Sequence, residues 1–266
     1  MIGTSRPQIE FRTFLLPARV VLLHTGWFRT IFNELPTDSA SSQDPRRRVQ
    51  IGVNLNSQPD RPLLIASGNT NKHREISQAL NLSGSRLLTP RDLEADRGPA
   101  PDPQENGATL LENAIIKASE FSRWSGLMSL ADDTGLFVDA LDGDPGIYSA
   151  RYAGENATFA DNIEKLLEQL AEKEGASRAA HFSCVLALCD GDEVILSVEG
   201  RCQGIITESP RGEGGFGYDP IFLPQGAELT FSQMAPEEKN RISHRGLAVQ
   251  QFSQLYGAAI SEGEKS

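Results

Sequence analysis

The sequence lacks the features of a membrane protein, a disulfide scaffold and a nucleic-acid binder. No apolar run approaches the roughly 20 residues needed to cross a bilayer, and the longest candidate, FLLPARVVLL, is interrupted by Pro17 and Arg19. There are only three cysteines, and Cys184 and Cys189 lie in an apolar run, which predicts small core side chains and a reducing compartment. A net charge of -11 argues against non-specific binding to nucleic acids or anionic membranes.

The first 60 residues differ in composition from the rest of the chain. They contain seven arginines, no lysine and five acidic residues, and their second half is polar and rich in proline and serine. This composition predicts a disordered extension over residues 1–60 and a single domain over residues 61–262. A weak likeness to an organelle transit peptide and an upstream start codon assigned in error remain alternatives for the extension.

The charge balance limits how the domain can bind an anion. With +2 in the first 60 residues and -11 in the whole chain, the rest of the chain carries -13. We therefore expect any bound anion to be held by a local group of cations or by a metal, and not by the overall field.

The apolar pattern of the first half of the domain alternates between strand and helix. Residues 63–66 form a short apolar run, which predicts a strand, and a polar loop over 67–71 leads into a helix that ends before Gly84. A second helix is predicted over 108–124, where Gly126 ends it.

The second half adds an antiparallel element. A third helix opens at Thr158 with a capping box and closes at Gly175, and the apolar runs 181–189 and 193–200 predict a hairpin. The chain then ends in a short helix, a break, and a longer helix capped by Ser243. Interleaved helices with an antiparallel pair predict a layered α/β domain with a mixed sheet.

Two glycine-containing segments are candidates for phosphate binding. Gly212, Gly214 and Gly217 in GEGGFG match the spacing of a dinucleotide-binding loop, but the prolines that follow exclude the helix that this motif requires. The segment ASGNTNKHRE is the better candidate, because a strand–loop–helix junction directs free N–H groups at an anion, while Gly68 allows close approach and Lys72 supplies charge. An ordinary turn with a surface lysine is the alternative.

Adjacent carboxylates interrupt an apolar stretch in LADDTG. Because neighbouring side chains on a strand point to opposite faces, Asp132 and Asp133 should have different roles. Glu105 precedes the second helix and supplies a further oxygen ligand, whereas Glu112 could lie on the surface. Oxygen ligands of this kind suit Mg²⁺; an aspartate that caps backbone groups is the alternative for each acid.

A last group of polar and aromatic residues predicts a site for a nucleobase. The segments GGFGYDPIF and EEKNRISHRG offer flat rings, an acceptor and donors. Donors that contact purine O6 would favour a keto purine over an amino purine. The group comprises Phe216, Tyr218, Asp219, Lys239, His244 and Arg245.

Five motifs together resemble the inosine triphosphate pyrophosphatase family. They are SGNTNKHRE, ENGATLLENAIIKA, ADDTGLFVDALDGDPGIYSARYAG, GGFGYDPIF and EEKNRISHRG, and the likeness runs from about Leu63 to Tyr256. The resemblance implies an elongated mixed sheet flanked by helices, an active site in a central cleft, and a cytoplasmic homodimer. It implies Mg²⁺-dependent hydrolysis of ITP, dITP and XTP to the monophosphate and pyrophosphate.

The resemblance also implies roles for individual residues. Asp133 corresponds to the proton acceptor and metal contact, and Glu105 to the acidic residue associated with Mg²⁺. The substrate-binding residues would be Ser67, Gly68, Asn69, Thr70, Asn71, Lys72, Thr134, Phe216, Gly217, Tyr218, Asp219, Lys239, His244 and Arg245. The partner is then a small nucleoside triphosphate, with neither nucleic acid nor membrane involved.

Two other readings remain open. One is a related pyrophosphatase with another base preference, against which the SHR and FGYD segments argue. The other is a non-catalytic nucleotide-binding protein, against which the presence of Glu105, Asp132 and Asp133 argues.

Overall fold

The structure is a computed structural model that describes residues 62–80 and 87–263, with side chains as far as residue 258. The predicted extension over 1–60 and the predicted helix stop at Gly84 lie outside the described residues. The described strands are β1 (Leu63–Ile65), β2 (Leu87–Leu88), β3 (Ser129–Val138), β4 (Pro145–Gly146), β5 (Ala179–Asp190), β6 (Glu193–Ile206) and β7 (Phe222–Pro224). The described α-helices are α1 (Thr70–Ala79), α2 (Glu94–Arg97), α3 (Leu110–Ser125), α4 (Phe159–Ala171), α5 (Pro236–Ile242) and α6 (His244–Gly263).

The strands form one mixed sheet in the order β2-β1-β3-β5-β6-β7, with β4 paired to β3. β1 runs parallel to β2 and to β3, whereas β5, β6 and β7 continue the sheet antiparallel. The predicted mixed α/β class is confirmed. The predicted hairpin is also confirmed, and both of its strands are longer than the apolar runs that indicated them.

The start of α1 and the end of α4 differ from the prediction for identifiable reasons. α1 begins at Thr70 because the Asn69 side chain accepts the N–H groups of Asn71 and Lys72, so the polar loop is shorter than expected. α4 opens with the predicted capping box at Thr158. It ends at Ala171 and not near Gly175, because the side chains after Leu170 are exposed and no packing supports a further turn.

Strand alternation divides the core between the two faces of the sheet. Leu130 packs in a cluster with α6, whereas its neighbour Ala131 packs in a cluster with α3. A third cluster, around Leu136 and Leu166, lies beneath α4. Cys184 and Cys189 are buried and unbridged, as the apolar pattern predicts.

The start of α6 rests directly on β6. A Cβ atom at Gly200 would lie 2.2 Å from the His244 carbonyl oxygen and 2.4 Å from the Ala248 nitrogen. Only glycine permits this approach, and the contact fixes where α6 begins relative to the sheet.

No helix in the described part of the chain is long and apolar enough to cross a membrane.

Candidate active site

A cleft of about 600 Å³ brings most of the predicted site residues together. It is lined by the β1–α1 loop, by β3, by the loop that precedes α3, by the segment around Phe216 and by the α5–α6 junction. Of the predicted site residues, Asn71 alone does not line the cleft, because it lies in the first turn of α1 and accepts a hydrogen bond from Arg74.

The β1–α1 loop forms one end of the cleft. Asn69 caps the helix, with its Oδ1 3.0 Å from the Asn71 nitrogen. Apart from its two chain neighbours, a Cβ at Gly68 would have no atom within 4 Å, so this glycine borders open space at the start of the helix. The Lys72 ammonium lies 3.2 Å from Asp132 Oδ2. The loop therefore combines a helix start with a cation, the arrangement that favours a phosphate group.

Asp132 faces the α6 side of the sheet and is enclosed by cations. Its Oδ2 lies 3.2 Å from both Lys72 Nζ and Arg245 Nη2. Burial alone would raise the pKa of Asp132, but Lys72 and Arg245 outweigh burial and hold the pKa below its ordinary range. An aspartate in this state is a stable anion and a weak base, so it serves to position the two cations.

Asp133 faces the opposite side of the sheet, toward α3. Its carboxylate accepts hydrogen bonds from Asn113 Nδ2 at 3.2 Å and from Lys117 Nζ at 3.1 Å. Burial raises the pKa of Asp133, and the nearby Glu105 adds to the rise against the opposing effect of Lys117. A raised pKa makes Asp133 the stronger base of the two aspartates. The two carboxylates lie on opposite faces of the sheet, as strand alternation predicts, and their different roles stay a prediction.

Glu105 and Asp133 converge on one cation. Lys117 Nζ lies 2.9 Å from Glu105 Oε1 and 3.1 Å from Asp133 Oδ1. No group of three or more His, Cys, Asp or Glu side chains suited to a metal occurs within residues 62–80 and 87–263. Two carboxylates that already share a cation, in the same cleft as a loop suited to phosphate, nevertheless fit a hard divalent ion that retains water.

The other end of the cleft is a buried network of ion pairs. Lys239 Nζ lies 2.6 Å from Asp219 Oδ2 and 2.7 Å from Glu75 Oε1, and the second oxygen of Glu75 accepts from Arg245. Burial would raise the pKa of Glu75, but Arg245 and Lys239 outweigh it and lower the pKa. Asp219 also accepts the Phe216 N–H at 2.8 Å, so this carboxylate holds its own loop in shape.

His244 is buried at the same end of the cleft. Its ring stacks on Phe182 with centroids 4.4 Å apart, and its Nδ1 has no hydrogen-bond partner among the described residues. Burial lowers the pKa of His244 well below its ordinary value, and Arg245 and Lys239 lower it further. The imidazole is therefore neutral, with one donor and one acceptor nitrogen.

Phe216 and Tyr218 differ although both were predicted to offer flat faces to a base. Phe216 is partly exposed in the cleft, with Lys239 Nζ 5.1 Å from its ring centroid. Tyr218 is buried, and its hydroxyl donates to the Ser149 carbonyl at 2.9 Å. The tyrosine thus fixes the loop, and the open ring belongs to Phe216.

Three site residues were not found from the sequence. Asn113 and Lys117 are large polar residues at i, i+4 on the buried face of α3, which otherwise consists of apolar residues and small serines, and this interruption was a usable signal. Glu75 carried no comparable signal, because its partners Lys239 and Arg245 lie far away in the sequence.

The mixed sheet and the charged cleft define an α/β enzyme. In its cleft a carboxylate with a raised pKa, Asp133, lies near the β1–α1 loop and Lys72. The chain belongs to the Ham1 family, whose model matches residues 63–255. The family resemblance predicted from the motifs is confirmed.

Curated relatives support this membership over nearly their whole length. The chain is 43% identical over 197 residues to a dITP/XTP pyrophosphatase of Bacillus licheniformis, covering 74% of this chain and 98% of the relative. It is 45% identical over 190 residues to a dITP/XTP pyrophosphatase of Methylococcus capsulatus, covering 71% and 92%.

Solved structures agree with the fold. A HAM1 protein from Coxiella burnetii is 39% identical with a TM-score of 0.68, over 74% of this chain and 99% of that one. The Ham1 protein of Staphylococcus aureus is 37% identical with a TM-score of 0.65, over the same shares.

Proposed function

We propose that this protein hydrolyses deaminated purine nucleoside triphosphates, namely ITP, dITP and XTP, to the nucleoside monophosphate and pyrophosphate. The observation that carries the proposal is the pair Asp132 and Asp133, which lies between a phosphate-type loop and a pocket for a base. The names of the curated relatives, dITP/XTP pyrophosphatases, support the same reaction.

Asp133 acts as the proton acceptor in this proposal. Its raised pKa favours proton uptake from the water that attacks the α-phosphorus. Asn113 and Lys117 hold the Asp133 carboxylate from the α3 side, so protein side chains orient this catalytic base before substrate binds. Positioning of the reacting groups and neutralisation of charge supply much of the acceleration in phosphoryl chemistry.

The loop 67–72 binds the triphosphate. Backbone N–H groups at the start of α1 and the Lys72 ammonium face the anion, and a bound phosphate competes with Asp132 for Lys72. Asp132 retains Arg245 as a partner when Lys72 turns to the phosphate.

Glu105 and Asp133, which both contact the Lys117 ammonium, would hold a Mg²⁺ ion. When bound, Mg²⁺ neutralises phosphate charge and lowers the pKa of a coordinated water.

The base is recognised at the opposite end of the cleft. Neutral His244 and the cations Lys239 and Arg245 offer donors to a purine O6, which a deaminated purine presents and adenine does not. Glu75 fixes both cations in place before substrate arrives.

The test is a substrate panel with product identification. Purified protein is given ITP, dITP, XTP, GTP, ATP, dUTP and dTTP with and without Mg²⁺, and pyrophosphate and phosphate are measured separately. We expect Mg²⁺-dependent pyrophosphate release, with the largest kcat/KM for the three deaminated purines. Preference for a pyrimidine nucleotide would favour the related pyrophosphatase, and tight binding without turnover would favour a non-catalytic protein.

Assembly and location follow from the family resemblance. We propose a cytoplasmic homodimer that acts without nucleic acid or membrane, and we propose that residues 1–60 are dispensable for catalysis. Light scattering measures the dimer, and a chain that starts at Asp60 tests the extension. Loss of activity in the shortened chain would contradict the second proposal.

A further inference from the structure

One exposed aromatic residue at the edge of the cleft does not belong to the hydrophobic core. Phe159 is the first residue of α4 and is 41% exposed. The residues through which α4 enters the core are Ile163, Leu166 and Leu170, and Phe159 is not among them. A single exposed apolar residue is common on proteins, so its meaning depends on what lies beside it.

Phe159 lies against the segment predicted to hold the base. Its ring centroid is 6.5 Å from that of Phe216, with the ring planes at 65°. A Cβ at Gly217 would be in ordinary van der Waals contact with the edge of the Phe159 ring, 3.6 Å away. Phe159 lines the cleft together with both residues.

The Phe216 ring connects Phe159 to the buried cations. Lys239 Nζ and the Arg245 guanidinium carbon lie 5.1 Å and 5.5 Å from the Phe216 centroid. An aromatic corner, formed by Phe159 and Phe216, therefore adjoins the donors that face the base. A flat heteroaromatic ring bound at Lys239 or Arg245 would therefore lie near Phe216 and this corner.

The backbone of Phe159 is fixed before any ligand binds. Thr158 Oγ1 accepts the Asp161 N–H at 3.2 Å, and the Asp161 carboxylate accepts the Thr158 N–H at 2.7 Å. This capping box holds the first turn of α4. A contact made by Phe159 therefore requires no ordering of its backbone.

We propose that Phe159 forms the outer aromatic wall of the base pocket, where it contacts the base of the bound nucleotide and adds affinity without reading the identity of the base. The inference rests on the proposed function, because it requires a nucleoside triphosphate in the cleft. An apolar ring offers no hydrogen-bonding group, so its contribution is similar for every purine.

The test compares Phe159→Ala, Phe159→Leu and Phe159→Trp with the wild-type enzyme. Because stacking on one aromatic ring changes affinity by at least about fivefold when the ring is removed, we expect Phe159→Ala to raise KM for ITP, XTP and GTP by about five- to tenfold. We expect kcat and the ratio of kcat/KM between ITP and GTP to stay within about twofold. Phe159→Leu should resemble Phe159→Ala, and Phe159→Trp should restore the wild-type KM.

Two controls separate base contact from other effects. Leu229→Ala removes a similarly exposed apolar residue outside the cleft lining and should leave KM unchanged. Inorganic tripolyphosphate, which has no base, should inhibit wild type and Phe159→Ala with the same inhibition constant. Thermal unfolding of each variant establishes that the capping box and helix remain formed.

The outcomes distinguish this inference from the proposed function. If wild type hydrolyses ITP and Phe159→Ala has the same KM, the inference fails and the proposed function stands. The inference also fails if Phe159→Ala weakens tripolyphosphate inhibition by the same factor as it raises KM. A changed ITP-to-GTP ratio also overturns it, since Phe159 would then read the base. If wild type hydrolyses no nucleotide in the panel, the proposed function fails, and that result precedes any variant.

Discussion

The two ends of the cleft contain similar charged residues but hold them in different ways. At the base end, Lys239 and Arg245 are 5% and 2% exposed, and each has buried carboxylate partners within the protein. At the phosphate end, the pairs Lys117–Glu105 and Lys72–Asp132 each have one partly exposed member, since the Glu105 and Lys72 side chains are 34% and 20% exposed. The base end is assembled in advance, whereas the ion pairs at the phosphate end have to rearrange when ligands bind.

Disturbing the ion pairs therefore costs a different free energy at each end of the cleft. Charges that are buried and paired are expensive to disturb, because removal of one partner leaves another unpaired in a medium of low polarity. Partly exposed pairs exchange partners at low cost, because solvent screens them. Mutations at the base end should therefore reduce stability, and mutations at the phosphate end should reduce activity.

The largest effect should come from Asp133→Asn, which removes the proposed base. We expect kcat for ITP to fall by about 10²- to 10⁴-fold, the usual contribution of general base catalysis. Stability should change little, because burial already disfavours the ionised form of this carboxyl. Steady-state kinetics and thermal unfolding measure the two quantities.

Asp139→Asn is the matched control, since Asp139 is exposed just after β3. It should retain wild-type kcat. Substantial ITP hydrolysis by Asp133→Asn would refute the assignment of the base.

Glu75→Gln should show the opposite balance at the base end. Removal of this charge leaves Lys239 and Arg245 undercompensated, and we expect the free energy of unfolding to fall by about 3 kcal/mol, as for other broken buried pairs. Urea unfolding provides the measurement. Glu164→Gln, on the exposed side of α4, should change stability by less than about 0.5 kcal/mol.

The same network predicts how stability depends on pH. Burial would raise the pKa of Glu75, but Arg245 and Lys239 outweigh burial and lower it. The pKa of Asp132 is likewise lowered by its neighbouring cations. Lowered carboxyl pKa values contribute stability above about pH 4, the ordinary range of these groups, and this stability is lost as pH falls toward the lowered values.

Urea midpoints measured between pH 6 and pH 3 test this dependence. We expect a shallower acid loss in Glu75→Gln than in wild type. Parallel curves would show that Glu75 does not contribute to the acid dependence.

Glu105→Gln should weaken metal binding at the phosphate end. We expect the Mg²⁺ concentration for half-maximal activity to rise by at least about tenfold, as it does when groups that support a metal are changed. Saturating Mg²⁺ should recover most of the activity, because Asp133 remains. A metal response equal to that of Glu112→Gln, a control at the start of α3, would place the ion elsewhere.

The smallest effect should come from Tyr218→Phe. Loss of the hydrogen bond to Ser149 should reduce the free energy of unfolding by about 1 kcal/mol, while KM for ITP stays near the wild-type value. A large increase in KM would indicate that the hydroxyl reaches the substrate.

The sequence predicted those parts of the site whose residues lie close together in the chain. The loop before α1, the two aspartates of β3 and the His244–Arg245 pair were each identifiable from neighbouring residues. Strand alternation was sufficient to separate Asp132 from Asp133, because the period of a strand fixes which side chains share a face.

The missing parts depend on contacts between distant segments. Glu75 and Arg245 are 170 residues apart, and no local pattern relates them. Asn71 was placed in the loop because the sequence does not show that Asn69 caps the helix and draws Asn71 into its first turn. The Tyr218 ring was predicted to face the base because its hydrogen-bond partner, the Ser149 carbonyl, is 69 residues away and no local pattern shows the contact.

Gly200 has a consequence for how substrate preference could change in this protein. Since the backbone of α6 rests on this position, any larger residue would lift His244 and Arg245 together. Substitutions of single cleft side chains should therefore alter base preference while α6 stays in place, whereas a substitution of Gly200, in a strand that does not line the cleft, should abolish base binding. A survey of natural variants that considers only cleft residues would miss that second route.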